Sequence, residues 1–366
     1  MYIDETKIEA LALGGIILGG GGGGSMDYGI ENAKISLANG RQPQVIPVDE
    51  LPENATVLTI SAVGAPSATD QYVVEQNFVE IIELLEKNYD LTIDALITNE
   101  MGGGSSFNAF IPSALKQIPM VDASCNGRAH PLGTMGAMGL SEKKGYITQQ
   151  SAVGGNPLKN KEVQLVTQGS VNATSTLIRQ AAVEAGGLVV VARNPVNKEF
   201  IQKNAALGTL TQSYEVGSAF LQGVTPREKV MNVADYLGGT MVCQGIVEEF
   251  ELTMNGGLDE GKFIVRQKDD EYVLYIWNEY MALDKNGERQ STFPDLLMSF
   301  DQETGLPITT AELKEGQAIF VLQVPYQKLA LGAGMFEISG YKRIEQVLGI
   351  EIVAYVQELI GNDYYE

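Results

Sequence analysis

The sequence predicts an α/β fold, a three-layer sandwich with a mainly parallel sheet, followed by a C-terminal β-barrel-like domain. In the first half of the chain, segments of strand length alternate with segments of helical periodicity, which is typical of a parallel sheet covered on both faces. After about residue 240, alternating apolar segments separated by turn residues replace the helical pattern. The length of 366 residues accommodates two domains of roughly 100–200 residues each.

The helices of the first half begin at residues that favour helix N-termini. Asp4 precedes the first predicted helix and Ser25 the second, and the six glycines at 19–24 interrupt regular structure between them. The strongest amphipathic pattern spans 72–89. Further helices are predicted at 105–116, 172–185 and 198–222, strands at 45–48, 56–63, 94–98, 119–122, 162–167 and 188–192, and a surface loop or hairpin at 139–160.

The second half is predicted to be mostly β. Strands are expected at 242–252, 262–267, 271–277, 296–300 and 318–324, separated by turns at 255–257, 269–270, 285–287 and 304–305. Such a succession predicts a barrel or a sandwich. We expect an α/β domain at 1–168 and a C-terminal domain at 169–366, in which a helical connection precedes a barrel at about 240–335.

Composition excludes several classes of function. The chain has 25 Lys and Arg against 46 Asp and Glu, a formal net charge of −21, so we expect no nucleic-acid partner. Two distant cysteines form neither a disulfide framework nor a cysteine zinc cluster. A single histidine excludes sites built on several imidazoles.

The N-terminal residues are acidic where a secretion signal would be basic. The apolar run at 8–18 is about half the roughly 20 residues that a membrane-spanning helix needs. The sequence therefore predicts a cytoplasmic protein with no membrane partner.

The glycine run is the first of three candidate functional segments. Because it precedes a predicted helix, the amides of Gly21, Gly22 and Gly23 are candidate substrate-binding groups, together with Asp27 in the first turn of that helix. A nucleotide-binding loop would need a preceding strand and, in a P-loop, a lysine, and both are missing here. The alternative is a close-packed or mobile turn.

The second candidate segment, 98–108, follows a predicted strand. Glu100 is a candidate base, and the three glycines and two serines after it supply several amide donors. Gly103, Gly104 and Ser105 are therefore candidate substrate-binding residues. The alternative is a glycine-rich turn in which a serine caps the next helix.

The third candidate segment, 121–131, places Asp122, Cys125, Arg128 and His130 close together at the end of a strand. Arg128 can bind a carboxylate or polarise a carbonyl, and His130 has an unperturbed pKa near neutrality. Cys125 is a nucleophile only where its thiolate is stabilised. The structural alternatives are an Asp122–Arg128 ion pair, a buried imidazole and a small apolar thiol.

The carboxyl ends of parallel strands meet at one edge of a sheet, where ligands of such sheets bind. We therefore expect Glu100, Asp122 and Arg128 to converge on one cleft with the glycine run. Glu100, Asp122 and Asp27, with or without His130, also leave a divalent metal site open, although no spacing demands one. The cofactor is unknown at this point.

Short motifs recur along nearly the whole chain. In the first half they are 19–24, 64–66, 102–104, Asp122, 127–129 and Pro131; in the second half they are 278–279, Ala282, 294–297, 301–308, 312–313, Gly316 and 340–341. In order and spacing they resemble the S-methyl-thiohydantoin desulfurase-like family, long catalogued as a domain of unknown function, whose members often accompany hydantoinase or oxoprolinase subunits. The resemblance implies an α/β sandwich domain joined to a β-barrel domain.

The resemblance also implies a hydrolase of a small cyclic amide or thioamide, such as an S-substituted thiohydantoin or hydantoin. Water attack would release a thiol or open the ring. Such a reaction needs a base, donors for charge developing on the ring, and help for the departing thiolate. Glu100 or Asp122 is the candidate base, Arg128 and loop amides would hold ring oxygens, and His130 or Cys125 would assist proton transfer.

Residues from the second half, Asn278, Glu279 and Asp295, are expected to complete the substrate pocket. The chain departs from the usual family pattern in the segment 122–132. Ser124 and Leu132 stand where the family usually has acidic residues, and His130 stands where it has a phenylalanine. The two missing carboxylates leave a second interpretation open, a non-catalytic ligand-binding or partner subunit of a hydantoinase/oxoprolinase-like assembly. A homo-oligomer is also left open.

Overall fold

A computed structural model describes residues 1–64, 68–255 and 258–360. Most of the motif at 64–66 and of the predicted turn at 255–257 therefore lies outside the described residues. The helices are α1 (Glu5–Leu18), α2 (Met26–Leu37), α3 (Glu75–Tyr89), α4 (Phe110–Lys116), α5 (Val171–Glu184), α6 (Lys198–Asn204), α7 (Thr209–Leu221), α8 (Pro226–Leu237), α9 (Ile338–Leu348) and α10 (Gln357–Ile360).

The strands form two sheets. The first sheet contains β1 (Val45–Ile46), β2 (Thr56–Gly64), β3 (Ala95–Glu100), β4 (Met120–Asn126), β5 (Thr148–Gly154), β6 (Val163–Gly169), β7 (Leu188–Asn197) and β8 (Ala206–Leu207). The second contains β9 (Thr240–Asn255), β10 (Leu258–Gln267), β11 (Asp270–Trp277), β12 (Glu279–Lys285), β13 (Glu288–Thr292), β14 (Leu296–Asp301), β15 (Pro307–Ile308) and β16 (Ala318–Val324).

The first sheet has the order β1-β4-β3-β2-β7-β5-β6, with β8 paired to β4. Strands β1, β4, β3 and β2 form a parallel block, which antiparallel strands extend. Helices cover both faces, because Val190 of β7 packs in one core with Ile81 of α3, whereas its neighbour Val189 packs with Ile178 of α5. The predicted α/β fold around a mainly parallel sheet is confirmed.

One inner strand of the first sheet is only partly predicted. The segment 139–160, for which the sequence predicts a surface loop or a hairpin, contains β5, which pairs antiparallel with β6 and β7. Its polar residues are tolerated because they are hydrogen-bonded: Gln150 Nε2 donates to Thr174 Oγ1 at 2.8 Å, and Ser151 Oγ donates to Ile81 O at 2.5 Å. Hydrophobic periodicity therefore carries little signal for this strand.

The second sheet is antiparallel, with the order β13-β12-β11-β10-β9-β16-β14-β15. It curls enough for β12 to contact β14, but no pairing joins β13 to β15 within the described ranges. The all-β character of this part is confirmed, and its closure into a barrel stays a prediction. The first sheet includes β7 and β8, which follow residue 168, so the division into domains at that position also stays a prediction.

Helix α1 is buried along nearly its whole length and packs on α7. The two helices approach closely because each has a glycine at the contact. A Cβ at Gly14 of α1 would overlap the Ser213 carbonyl, and a Cβ at Gly217 of α7 would overlap the Ala10 carbonyl. Among the residues that the structure describes, no helix combines the length and apolarity needed to cross a membrane. The glycine run follows the C-terminal end of α1 and lies between the two sheets.

Candidate active site

A cavity of about 330 Å³ lies at the carboxyl edge of the parallel block, where β12 of the second sheet approaches it. This volume is at the lower end of the roughly 300–1,000 Å³ typical of small-molecule sites. Of the residues predicted from sequence, the lining contains Gly23, Glu100, Gly104, Ser105, His130, Asn278 and Glu279. The expected location of the site, at this edge and next to the second sheet, therefore coincides with a cavity.

Glu100 is the last residue of β3, and its side chain is 12% exposed. Burial raises the pKa of its carboxyl to about 7, even though the positive charge of Arg193 acts in the opposite direction. Its Oε2 atom lies 3.4 Å from Nε2 of His130. A carboxyl with a pKa near neutrality can hold or release a proton at physiological pH.

His130 follows β4 and forms the adjacent wall of the cavity. Burial, and then the charge of Arg193, lowers the pKa of the imidazole to about 3, so the ring is neutral near pH 7. The ring is held against Gly136, where a Cβ would come within 2.5 Å of Cε1 and Nε2. Neither ring nitrogen forms a hydrogen bond with the described residues, so near neutral pH the Glu100–His130 contact joins a carboxyl to an uncharged ring and is not an ion pair.

Arg193 of β7 brings a positive charge to the cavity. The residue is only 7% exposed, its Nε has no hydrogen-bond partner, and its guanidinium forms no ion pair with the described residues. Burial lowers the pKa of this guanidinium, although Glu100 opposes the change. Because an unpaired buried cation is costly, this group is suited to bind an electron-rich atom of a ligand.

Glu279, the first residue of β12, enters the cavity from the second sheet. It is 2% exposed, and its Oε2 has no hydrogen-bond partner among the described atoms. Burial first, and then the charge of Glu100, raises its pKa well above the ordinary value, although Arg128 opposes the change. The carboxyl of Glu279 therefore keeps its proton more readily than that of Glu100.

The glycine run connects the two sheets. The carbonyls of Gly20 and Gly21 accept hydrogen bonds from the amides of Tyr280 and Thr310, each at 3.0 Å. The carbonyl of Gly23 accepts from the amides of Gly104 and Ser105 on the other side, at 3.0 and 2.9 Å. The run is thus a close-packed connection between the sheets.

Some of the glycines predicted to bind substrate instead pack against protein groups. Gly22 contacts the Glu279 carboxyl, which a Cβ would overlap, and Gly103 packs against the carbonyl of Gly24. Gly21, Gly22 and Gly103 are not part of the cavity lining. Asp27 is exposed on α2 and lies outside the lining as well.

Asp122 and Arg128 do not converge with Glu100 on the cavity, so this expectation is wrong. Asp122 lies within β4, and its Oδ1 accepts from the amides of Leu210 and Thr211, at 2.9 and 3.1 Å, where α7 begins. Its carboxylate therefore caps that helix. It does not form the ion pair with Arg128 that was the structural alternative.

Arg128 is fully buried but does not line the cavity. Its Nη1 donates to the carbonyls of Pro294, at 2.9 Å, and Asp295, and its guanidinium lies 4.4 Å from the ring centre of Phe293. Burial lowers its pKa to about 10, so it stays charged. It joins the loop after β4 to the second sheet.

Asp295 and Cys125, two further candidate site residues, have structural roles. Asp295 lies outside the cavity lining, and its Oδ1 accepts from the amide of Tyr326 at 2.9 Å. Burial raises the pKa of the Cys125 thiol to about 11, and its Sγ lies 3.3 Å from Thr59 Oγ1, so no thiolate is stabilised for attack.

The predicted metal ligands are likewise dispersed. Within the described ranges, no group of three or more His, Cys, Asp or Glu side chains is arranged to hold a metal ion. Asp27 is on the surface and Asp122 caps α7, which leaves only Glu100 and His130 in contact. The residues of the described chain therefore do not fit the metal site that the sequence left open.

Several polar residues of the lining were not predicted from the sequence, among them Asn99, Asn108 and Arg193. Asn108 Nδ2 donates to Asn99 Oδ1 at 3.0 Å. Asn99 precedes Glu100 at the end of β3, and a polar residue at that strand end could have been predicted to line the site. Arg193 directly follows the apolar run 188–192, and a charged residue at this point of a buried strand was the available signal.

Comparisons with known proteins identify relatives for both halves of the chain. The N-terminal domain of the S-Me-THD-like family matches residues 6–158, and its C-terminal domain matches residues 170–342. A crystal structure of a protein from Chromobacterium violaceum is similar in fold, with a TM-score of 0.74 over 94% of this chain and 97% of that chain, at 18% identity. No curated protein matches the chain. With family matches to both halves, the chain belongs to the S-Me-THD-like family.

Proposed function

We propose that the protein is a hydrolase of a small cyclic amide or thioamide, with an S-substituted thiohydantoin as the best substrate and a hydantoin as the other candidate. The family is named for this class of ring. The observation that carries the proposal is the buried contact of 3.4 Å between Glu100 and His130, in a cavity that also holds the unpaired Arg193. Together these groups supply a base and a binding cation.

Glu100 is the general base in this proposal. Its carboxylate form accepts a proton from a water molecule, and the water oxygen forms a bond to the ring carbon that carries sulfur. The electrons of the ring C=N bond move to nitrogen, which Arg193 stabilises by binding the heterocycle. Neutral His130 packs beside the Glu100 carboxyl at 3.4 Å. When the C–S bond breaks, the products are a hydantoin and a thiol.

The proposal is tested by turnover of an S-methyl-thiohydantoin and of the unsubstituted hydantoin by the purified protein. We expect release of methanethiol, detected with a thiol reagent, and one ¹⁸O atom in the hydantoin product when the reaction runs in H₂¹⁸O. Glu100→Gln should abolish both signals.

Glu337→Gln is a matched control. Burial also raises the pKa of Glu337 to about 7, but this residue lies outside the cavity lining. The variant should therefore keep full turnover. A protein that turns over neither ring, and that co-purifies stably with a hydantoinase- or oxoprolinase-like protein, would instead be the partner subunit of the second interpretation.

A further inference from the structure

We propose that Glu279 is the general acid that gives its proton to the departing sulfur while Glu100 takes the proton of the attacking water. This inference rests on the proposed hydrolysis of an S-substituted ring, and it adds a catalytic residue that the family resemblance did not assign. It follows from the way in which two carboxyl groups enter one cavity.

The two carboxyl groups come from different sheets. Glu100 ends β3 of the first sheet, and Glu279 begins β12 of the second, and both line the cavity. A substrate bound between them would therefore meet one carboxyl from each sheet. This is the arrangement that a reaction needs when one proton is removed at the attacking oxygen and another is delivered at the leaving atom.

The Glu279 carboxyl is fixed in position by its neighbours. Asn278, just before it, has the left-handed φ of 59°, and its Oδ1 accepts from the amide of Asp259 at 2.8 Å. The amide of Asn278 donates to the Asp259 carbonyl at 2.7 Å. On the other side, the absence of a side chain at Gly22 leaves the space that Glu279 Oε1 occupies.

One oxygen of the Glu279 carboxyl nevertheless has no hydrogen-bond partner within the described part of the chain. This oxygen, Oε2, is buried. The structural carboxylate Asp122, in contrast, accepts two backbone amides. A buried carboxyl oxygen that no donor reaches favours the neutral acid, and a proton on that oxygen can be donated to a ligand.

The neighbouring charges decide which carboxyl is the base. Two carboxylates in one desolvated site repel, so the first to ionise holds the second in its protonated form. The positive charge of Arg193 favours the ionised form of Glu100. Burial and then the charge of Glu100 keep the proton on Glu279, and they outweigh the opposing charge of Arg128. Glu100 is therefore the base, and Glu279 is the acid.

The proton balance closes over one turnover. Glu100 receives a proton from water as the new C–O bond forms, and Glu279 loses its proton to sulfur as the C–S bond breaks. The electron pair on the ring nitrogen returns to carbon as the C–S pair leaves with sulfur, and the second proton of the water passes from the new hydroxyl to that nitrogen. The products are the hydantoin and the neutral thiol. The site is restored when one proton passes from Glu100 to Glu279, directly or through solvent.

The leaving-group dependence of the rate tests this inference. An S-methyl substrate releases a basic thiolate that needs a proton, whereas an S-(4-nitrophenyl) substrate releases a stable thiolate that does not. We expect Glu279→Gln to lower turnover of the S-methyl substrate at least about 100-fold and of the S-nitrophenyl substrate less than about 10-fold. Glu100→Gln should lower both by the same factor, and Glu337→Gln should change neither. If Glu279→Gln does not fold, Glu279→Asp replaces it and should show the same leaving-group preference in weaker form.

The outcomes separate this inference from the proposed function. Equal losses on both substrates in the Glu279 variants, or no loss on either, would overturn the acid role while leaving the hydrolase proposal in place. Failure of the wild-type protein to turn over either S-substituted substrate would overturn this inference, and failure to turn over hydantoin as well would overturn the hydrolase proposal.

Discussion

Replacing Glu100 with glutamine should stabilise the folded protein above neutral pH while it removes activity. The carboxyl has an ordinary pKa of 4.5 and a pKa of about 7 in the folded protein. Between these values, the unfolded chain has lost the proton that the folded chain still holds, so stability falls as the pH rises and levels off above about pH 7. At about 1.4 kcal/mol for each tenfold change, the folded wild type carries a cost of about 3 kcal/mol at pH 8.

The assay compares thermal unfolding of the wild type and Glu100→Gln from pH 5 to pH 8. The glutamine side chain is nearly the same size and never ionises, so the variant should melt at a higher temperature at pH 8, and its advantage should shrink towards pH 5. In the same range, kcat/KM of the wild type should fall tenfold for each pH unit below about 7, because only the carboxylate form is a base.

Two results would refute this reasoning about Glu100. One is a glutamine variant that is no more stable than the wild type at pH 8, which would mean that the buried carboxylate finds compensating interactions. The other is a stability gain that is the same at pH 5 and pH 8, which would mean that the gain has no link to ionisation.

The remaining predictions concern neighbouring side chains. Arg193→Gln should lower kcat/KM about 10- to 100-fold, the value of a hydrogen bond to a charged group, and should move the acidic limb of the pH–rate profile to higher pH, because the Glu100 pKa rises when the positive charge is lost. Asp122→Ala should lower the stability of the protein by about 0.5–2 kcal/mol through loss of the α7 cap, and its pH–rate profile should match that of the wild type. Gly22→Ala should displace the Glu279 carboxyl and reduce turnover of the S-methyl substrate without loss of folded structure by circular dichroism.

The fold can be predicted from the sequence where the local pattern and the tertiary environment agree. The apolar runs of β2 and β3, with the amphipathic α3 between them, lie where the periodicity indicates. Strand β5 was only partly predicted because Gln150 and Ser151 obtain their hydrogen bonds from α5 and α3, and no local pattern shows those partners. Closure of the second sheet depends in the same way on distant pairings.

The residues of the candidate site could likewise be predicted only where the local sequence determines their position. Glu100 lies at the end of a parallel strand and His130 follows one, so the rule that ligands bind at this edge located both. Asp122 was misassigned because it lies within β4, where its side chain faces α7 and not the edge. Arg193 comes from an antiparallel strand, for which that rule makes no prediction.

The site depends on the alignment of the two sheets, and the glycine run is one of the elements that join them. Gly20 and Gly21 bind the second sheet through their carbonyls, and Gly23 binds the turn that follows Glu100. A side chain at Gly22 would occupy the space of the Glu279 carboxyl, and Gly21 has the positive φ of 96° that favours glycine. A shift along the run would therefore change the separation of the Glu100 and Glu279 carboxyl groups, between which the ring of the proposed substrate must fit, in addition to moving Gly23 in the cavity lining.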